Sequence, residues 1–387
     1  FTQITFVVFV FEAGTFIAEV VLLYALYANW NRLRRFRRAR LGLLILLNLS
    51  QWWQMFFINV VASYMLTPNG GDTSILRQLL NPTDLPLTLH RTVGNVAWAG
   101  GLIAAVAGFR YLQATRDAPR ATRTAPAPLR SVGAMAAPDG GMDMPGRMSG
   151  GDGEAAYWDW AGQWGLLWAF GLTLVQPWIG YSYAKEVQLH SYDSWYAMML
   201  GGLSNTFLLQ LGLLGLIFVL GALYFARRLK AEGLRLWRRH MVVAVLLIAV
   251  TLFAVQPAWF ASTHDDIVAA HRDQPWWEGG LRNPLGNFIP YKVACLFLMV
   301  IIGVYALTSY LRARQRGLVT MGKARRGSQG LLLGLGATVL MMMSVMGVIR
   351  ESSREPYLIN GELTIQHQDT IHPVSPGGAT PAPGPSP

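Results

Sequence analysis

Cysteine is nearly absent: Cys295 is the only one in 387 residues. That excludes a disulfide framework, a CxxCH attachment site for c-type haem, and the paired spacings of zinc or iron–sulfur sites. A metal would have to enter through His, Met or Glu, or inside a prosthetic group. Charge is scarce too. At 14% charged and 52% hydrophobic residues, with 14 tryptophans, the composition is not that of an ordinary soluble domain. No strong internal repeat is present, nor are there the Gly/Pro-broken helices in paired halves that mark a solute transporter.

What the chain has instead is long apolar runs. Eight of them reach the roughly 20 residues a helix needs to cross a bilayer: 2–28, 41–66, 89–114, 157–181, 199–226, 241–261, 287–311 and 329–350. The spacing predicts an all-α, polytopic membrane helical bundle. Connections alternate in charge. Segment 29–40 carries six arginines, and 110–130, 227–239 and 312–326 are also rich in Arg and Lys, whereas 67–88, 182–198, 262–286 and the tail beyond 351 carry few. Because Lys and Arg stay on the cytoplasmic side, both termini are expected on the periplasmic side. The net charge of +11 is then a topological signal, and no nucleic-acid partner is implied. The chain opens on Phe1, so the translated start is expected upstream.

Two segments lack any apolar period. Residues 116–155 are rich in Pro, Gly, Ala and Met and read as a flexible cytoplasmic linker; the methionines around Met142 have no His or Cys beside them to make a copper site. The tail 359–387 ends in a Pro/Gly-rich run and reads as periplasmic. The division expected is a three-helix unit over 1–115, the linker 116–155, three helices over 156–262, an outer loop over 263–286, and two helices over 287–358, followed by the tail 359–387.

Polar residues within the apolar runs are the candidates for chemistry. Glu12 sits about 15 Å along the first helix, at 1.5 Å per residue, where a carboxylate needs a partner or must take up a proton. It fits a proton relay, a cofactor ligand or half of a buried pair. Asn48, Ser50, Gln51 and Gln54 are expected to turn toward the bundle interior. His90 opens the third helix beside Arg91. Gly94, Ala97, Gly100 and Gly101 follow, a small-residue face open either to a flat group or to a neighbouring helix. At the end of the last helix, Arg350, Glu351, Arg354 and Glu355 place four charges within six residues. Ionisable groups at a membrane edge are functional candidates, although an ion-paired, solvated helix end is the alternative.

In order, the stretches VFVFEAGTF, LLNLSQWWQMFFINVVASYMLTP, LTLHRTVGNVAWAGG, NFIPYKVACLFLM and IRESSREPYLINGEL resemble subunit I of the cytochrome bd quinol oxidases, counted from that family's third helix onward. The resemblance implies a multi-pass subunit of a bacterial inner-membrane respiratory complex, with haem b as cofactor, one or two in number, and haem d as a further option. It implies that His90 is an axial ligand of a low-spin haem b, that Glu351 ligates a high-spin haem, and that Glu12 lies on a proton path. Arg354 and Arg91 would hold haem propionates, and Trp52, Trp53 and Trp98 would exclude water around the macrocycle. Other membrane subunits, quinol and a periplasmic c-type cytochrome are the partners it implies, within the lipid bilayer.

The sequence also departs from the family. The family's methionine ligand falls at Ala294, which leaves Met299, Cys295, His190, His264 or His271 as replacements. Its second carboxylate is Ile4, its first two helices precede Phe1, and its quinol-binding loop is replaced by two extra helices. Three functions follow: a haem-b electron-transfer subunit, a complete bd-type quinol:oxygen oxidase whose missing helices lie elsewhere, and a haem-free scaffold.

Overall fold

The computed structural model describes residues 2–68, 74–124, 151–199, 203–230, 233–256, 290–320, 322, 324–354, 357–360 and 363–364. The outer loop 263–286 with His264 and His271 lies outside these residues, as do nearly all of the tail and the middle of the linker, 125–150.

The expected all-α bundle is what the chain forms. Its described helices are α1 (Thr2–Ala28), α2 (Trp30–Leu33), α3 (Arg37–Leu66), α4 (Ile75–Leu79), α5 (Asp84–Thr124), α6 (Gly151–Thr173), α7 (Gln176–His190), α8 (Tyr192–Met199), α9 (Ser204–Arg228), α10 (Leu234–Ala254), α11 (Pro290–Gln315) and α12 (Arg326–Ser352). A two-stranded antiparallel hairpin follows, β1 (Tyr357–Ile359) and β2 (Leu363–Thr364). Helices α5 and α6 run to Thr124 and from Gly151, into both edges of the segment read as linker.

Seven helices among the described residues are long and apolar enough to cross a membrane: α1, α3, α5, α9, α10, α11 and α12. The stretch expected as an eighth, 157–181, is not one helix. It breaks at Leu174 and Val175, and α7 restarts with Pro177 in its first turn. Proline has no N–H to continue the α6 ladder but is preorganised to begin a new helix. The α6 portion also carries Glu154, Asp159 and a run of tryptophans, which lower its apolarity.

Helix α5 is the central element. Asp84 in its first turn complements the helix dipole, and Pro86 costs nothing where no i−4 carbonyl is available. Its small-residue face is filled by other helices. A Cβ on Gly100 would lie 2.7 Å from the Gly165 carbonyl of α6, so the two backbones touch. Val339 of α12 covers Gly101, and Gln176 of α7 covers Gly94. Of the two readings left open by the sequence, helix packing accounts for this face. The main core adds Phe170, Phe218, Phe225, Leu247, Met299 and Tyr310, all essentially inaccessible.

Helix α1 lies at the edge, against α3, through a Phe11–Phe57 stack and a Gln51–Glu19 hydrogen bond (2.9 Å). Asn48 and Gln51 are thus exposed, not turned inward; Asn48 bonds the Leu44 carbonyl of its own helix (2.8 Å), while Ser50 is buried.

The two ends of the bundle differ. At one end gather the last turns of α5, α9 and α11 and the first turns of α6, α10 and α12, joined by the Arg-rich connections. There Asp159 and Arg228 form an ion pair (2.6 Å) with exposures of 0% and 1%. Gly322 N–H (2.8 Å) and Gln329 Nε2 (3.1 Å) also donate to Asp159, and Arg228 donates to the Thr320 carbonyl. Phe225 stacks on Tyr310 at 4.3 Å just inside. At the other end, Thr67, Asn81 and Thr83 tie the end of α3 to the start of α5, and the hairpin is stitched on by Asn360 N–H to the Met65 carbonyl (2.9 Å) and Asn360 Nδ2 to Ser191 Oγ (2.6 Å).

Candidate functional site

The second end brings together three segments far apart in sequence. His90 and Arg91 come from the first turns of α5, Tyr183 from α7, and Arg350, Glu351 and Arg354 from the close of α12. Tyr183 is within electrostatic reach of Arg91, Arg350 and Arg354, and Arg91 of Arg350. A small apolar cluster of Leu66, Val187, Met198, Met199 and Ile349, with Tyr183 and Val345 against it, supports the group from α3, α7, α8 and α12.

The three well-described histidines separate cleanly. His240 is a satisfied core residue, its Nδ1 against the Leu236 carbonyl (2.8 Å) and its Nε2 against the Ala306 carbonyl (3.4 Å). His190 is exposed at the end of α7, with Nδ1 at the Glu186 carbonyl (2.9 Å). His90 differs: among the described residues its ring nitrogens have no hydrogen-bond partner, and only its backbone carbonyl is used, by Gln176 Nε2 (2.9 Å). The ring is partly buried, and it is the one described histidine whose nitrogens take no protein partner.

Around it, charge is unbalanced. Arg91 donates to Asn59 Oδ1, and Asn59 in turn donates to Thr88 Oγ1 (3.0 Å), which holds the guanidinium in place. Glu351 is half exposed and has both oxygens engaged, Oε1 by Arg350 (2.6 Å) and Oε2 by the buried Arg354. Two guanidiniums thus meet the Glu351 carboxylate, and Arg91, held by Asn59, lies within electrostatic reach of Arg350. The Tyr183 phenol, outside the spanning helices, is pushed up to about 12 because burial outweighs the pull of the three arginines. It is a neutral O–H at physiological pH, and among the described residues its hydroxyl has no partner.

Other predicted residues are elsewhere. Met299 is buried in the main core, where its sulfur accepts a hydrogen bond from Thr251 Oγ1 (3.4 Å) and so faces α10 rather than α5. Cys295 is one turn away on the same helix, and Ala294 is exposed. Glu12 is half-buried on α1; among the described residues its carboxylate has no partner. Trp52 donates to Thr92 Oγ1 (3.2 Å), two residues along α5 from His90, and stacks on Phe56; Trp98 packs on the main core. Among the described residues no three His, Cys, Asp or Glu side chains converge as a metal site.

Sequence reasoning missed Tyr183 and the rest of α7, because 182–198 was read as an outer loop. Gln176, inside the run read as a single spanning helix, is the residue that holds the His90 carbonyl. No curated protein matches the chain. Over residues 1–141, the stretch that carries Glu12, His90 and Arg91, this membrane-spanning chain matches the family of cytochrome bd terminal oxidase subunit I.

Proposed function

We propose that the chain is an electron-transfer subunit of a respiratory complex and that it holds haem b through His90. The observation that carries this reading is a part-buried imidazole whose ring nitrogens have no hydrogen-bond partner among the described residues, set beside Arg91, Arg350 and Arg354. The residue types suit the group, an imidazole for the iron and arginines for two propionates, with α7 having to yield at Gly180, which packs against His90 Nε2. Haem b when bound supplies a one-electron couple. The chain's own share is to orient the imidazole, balance the propionate charge through Arg91 and Arg354, and keep water away with Trp52 and Phe56.

The gathering of Arg-rich connections at the opposite end supports a periplasmic position for the site and for both termini, in a bacterial inner membrane. Quinol or a periplasmic c-type cytochrome would exchange electrons there, with other membrane subunits alongside. Glu351, with one arginine on each oxygen and half its side chain exposed, keeps lone pairs free, so a second haem at that carboxylate belongs to the oxidase reading. Glu12 would then serve a proton path only in the oxidase reading.

The test is a reduced-minus-oxidised spectrum of the purified complex, with and without His90→Ala. A low-spin b band that disappears in the variant is the expected result. An added high-spin or d band would point to the oxidase, and a flat trace to the haem-free scaffold.

A further inference from the structure

Between Glu19 and Asp72 the chain has no acidic residue, yet six arginines fall within nine positions: Arg32, Arg34, Arg35, Arg37, Arg38 and Arg40. The turn that carries them, between α1 and α3, is built by its backbone. Leu33 N–H bonds the Asn29 carbonyl (2.8 Å), Phe36 N–H the Leu33 carbonyl (3.1 Å) and Arg40 N–H the Phe36 carbonyl (3.0 Å). Because the far end of α3, at Thr67, is tied to the start of α5, this turn lies at the same end of the bundle as the Asp159–Arg228 pair. There Arg228 is taken up by Asp159, and Arg227 by the Gly327 carbonyl (2.9 Å). The six arginines of the turn differ. Among the described residues none has a carboxylate or a hydrogen-bond acceptor for its guanidinium, and Arg40 lies over the Trp30 ring, 5.4 Å from its centre.

Beside Trp30 is an open hollow of about 500 Å³, lined by Tyr27, Ala28, Trp30 and Asn31. Its walls offer a phenol, an indole N–H and a side-chain amide, all able to donate to an anion. Tyr24, Tyr27, Trp30 and Phe36 are all exposed here, at the close of one spanning helix and the approach to the next, the level at which aromatic rings sit among lipid head groups.

We propose that this turn is a binding site for an anionic phospholipid, whose phosphodiester seats in the hollow against Trp30 and Asn31 and is held there by the guanidiniums. Six like charges on a fixed turn repel one another until a counter-charge arrives, and a guanidinium fork matches phosphate oxygens two at a time. The source of the phosphate follows from the height of the site: at the end of a membrane-spanning helix, among exposed aromatics, the anion supplied in quantity is the lipid head group. The site needs only that α1 and α3 span the bilayer, and stands apart from the haem reading.

The experiment places the full complex in nanodiscs containing either phosphatidylglycerol or phosphatidylcholine with brominated acyl chains, and takes the fluorescence of Trp30 as the difference between wild type and Trp30→Phe. Native mass spectrometry of the detergent-purified complex counts the lipids that stay bound. Brominated phosphatidylglycerol is expected to quench Trp30 more strongly than brominated phosphatidylcholine and to be the lipid retained. Arg40→Gln should reduce that preference about fivefold, the factor one arginine near an anionic membrane surface is worth. Arg316→Gln, on the connection between α11 and α12, should match the wild type. Equal quenching and retention of the two lipids would mean that the arginines only set topology, and the site is wrong. Quenching by neither lipid would mean that protein covers Trp30, and the arginines belong to a subunit interface. If inorganic phosphate added to phosphatidylcholine discs gives the same change in Trp30 fluorescence as unbrominated phosphatidylglycerol, the ligand is a soluble phosphate and the lipid assignment falls. Should Arg40→Gln fail to insert, the comparison of the two lipids on the wild type decides alone. The presence or absence of a b band has no bearing on any of these outcomes.

Discussion

The two polar clusters at the ends of this bundle use the same kinds of residue for different purposes. Around Asp159 and Arg228, one carboxylate meets one guanidinium, and backbone and amide donors complete the carboxylate's shell. Around His90 and Tyr183, two guanidiniums share one half-exposed carboxylate, Arg91 lies beside them, and an imidazole and a phenol have no hydrogen-bond partner among the described residues. A buried charge is tolerated when it is paired, as Arg228 is, even with its Nε and Nη1 lacking partners among the described residues. The first cluster is a joint between helices, and the second, part-exposed and richer in guanidiniums than carboxylates, is the one proposed above to hold an anionic group.

The comparison breaks most visibly at His90. His90→Ala should abolish the low-spin spectrum while leaving thermal unfolding of the bundle nearly unchanged, as measured by a melting curve in detergent. Asp159→Asn should do the reverse. It strands Arg228 without its counter-charge and should cost about 3–5 kcal/mol of stability, seen as early unfolding, with the spectrum per folded protein intact. Adding Arg228→Met to that variant should recover much of the loss, because the uncompensated charge is gone.

Smaller effects sharpen the contrast. Arg354→Ala removes a buried guanidinium from the surplus and should weaken haem retention about tenfold, consistent with a charge-assisted hydrogen bond. Arg350→Ala, more exposed, should change retention only about twofold. The least effect is spectroscopic: in an absorbance titration, Tyr183 should stay protonated until about pH 12, while exposed tyrosines ionise near about pH 10. Comparing wild type with Tyr183→Phe isolates that one group.

Much of this was legible in the amino-acid order. Long apolar runs announce the helices, and alternating arginines announce which ends lie together. His90 and Glu351 stood out because polar groups are conspicuous in apolar surroundings. Three features did not show. The break before Pro177 was hidden inside an apolar run that continues through it. Asp159 and Arg228, 69 residues apart, resembled ordinary charges near helix ends; only tertiary packing makes them a pair. Helix α7 has too few apolar residues to register as a spanning helix, since its purpose is to cover α5 rather than to face lipid. Met299, chosen for its element rather than its position, turned out to fill the core.

The short hairpin after α12 has a bearing on how the last helix behaves. With Asn360 bonded to the end of α3 and to Ser191, the chain that follows α12 is held at a point remote from the helix itself. Ile359, buried beside it, adds an apolar contact, so the short hairpin ties the segment after Arg350 and Arg354 to two other helices and limits how far α12 can turn or slide.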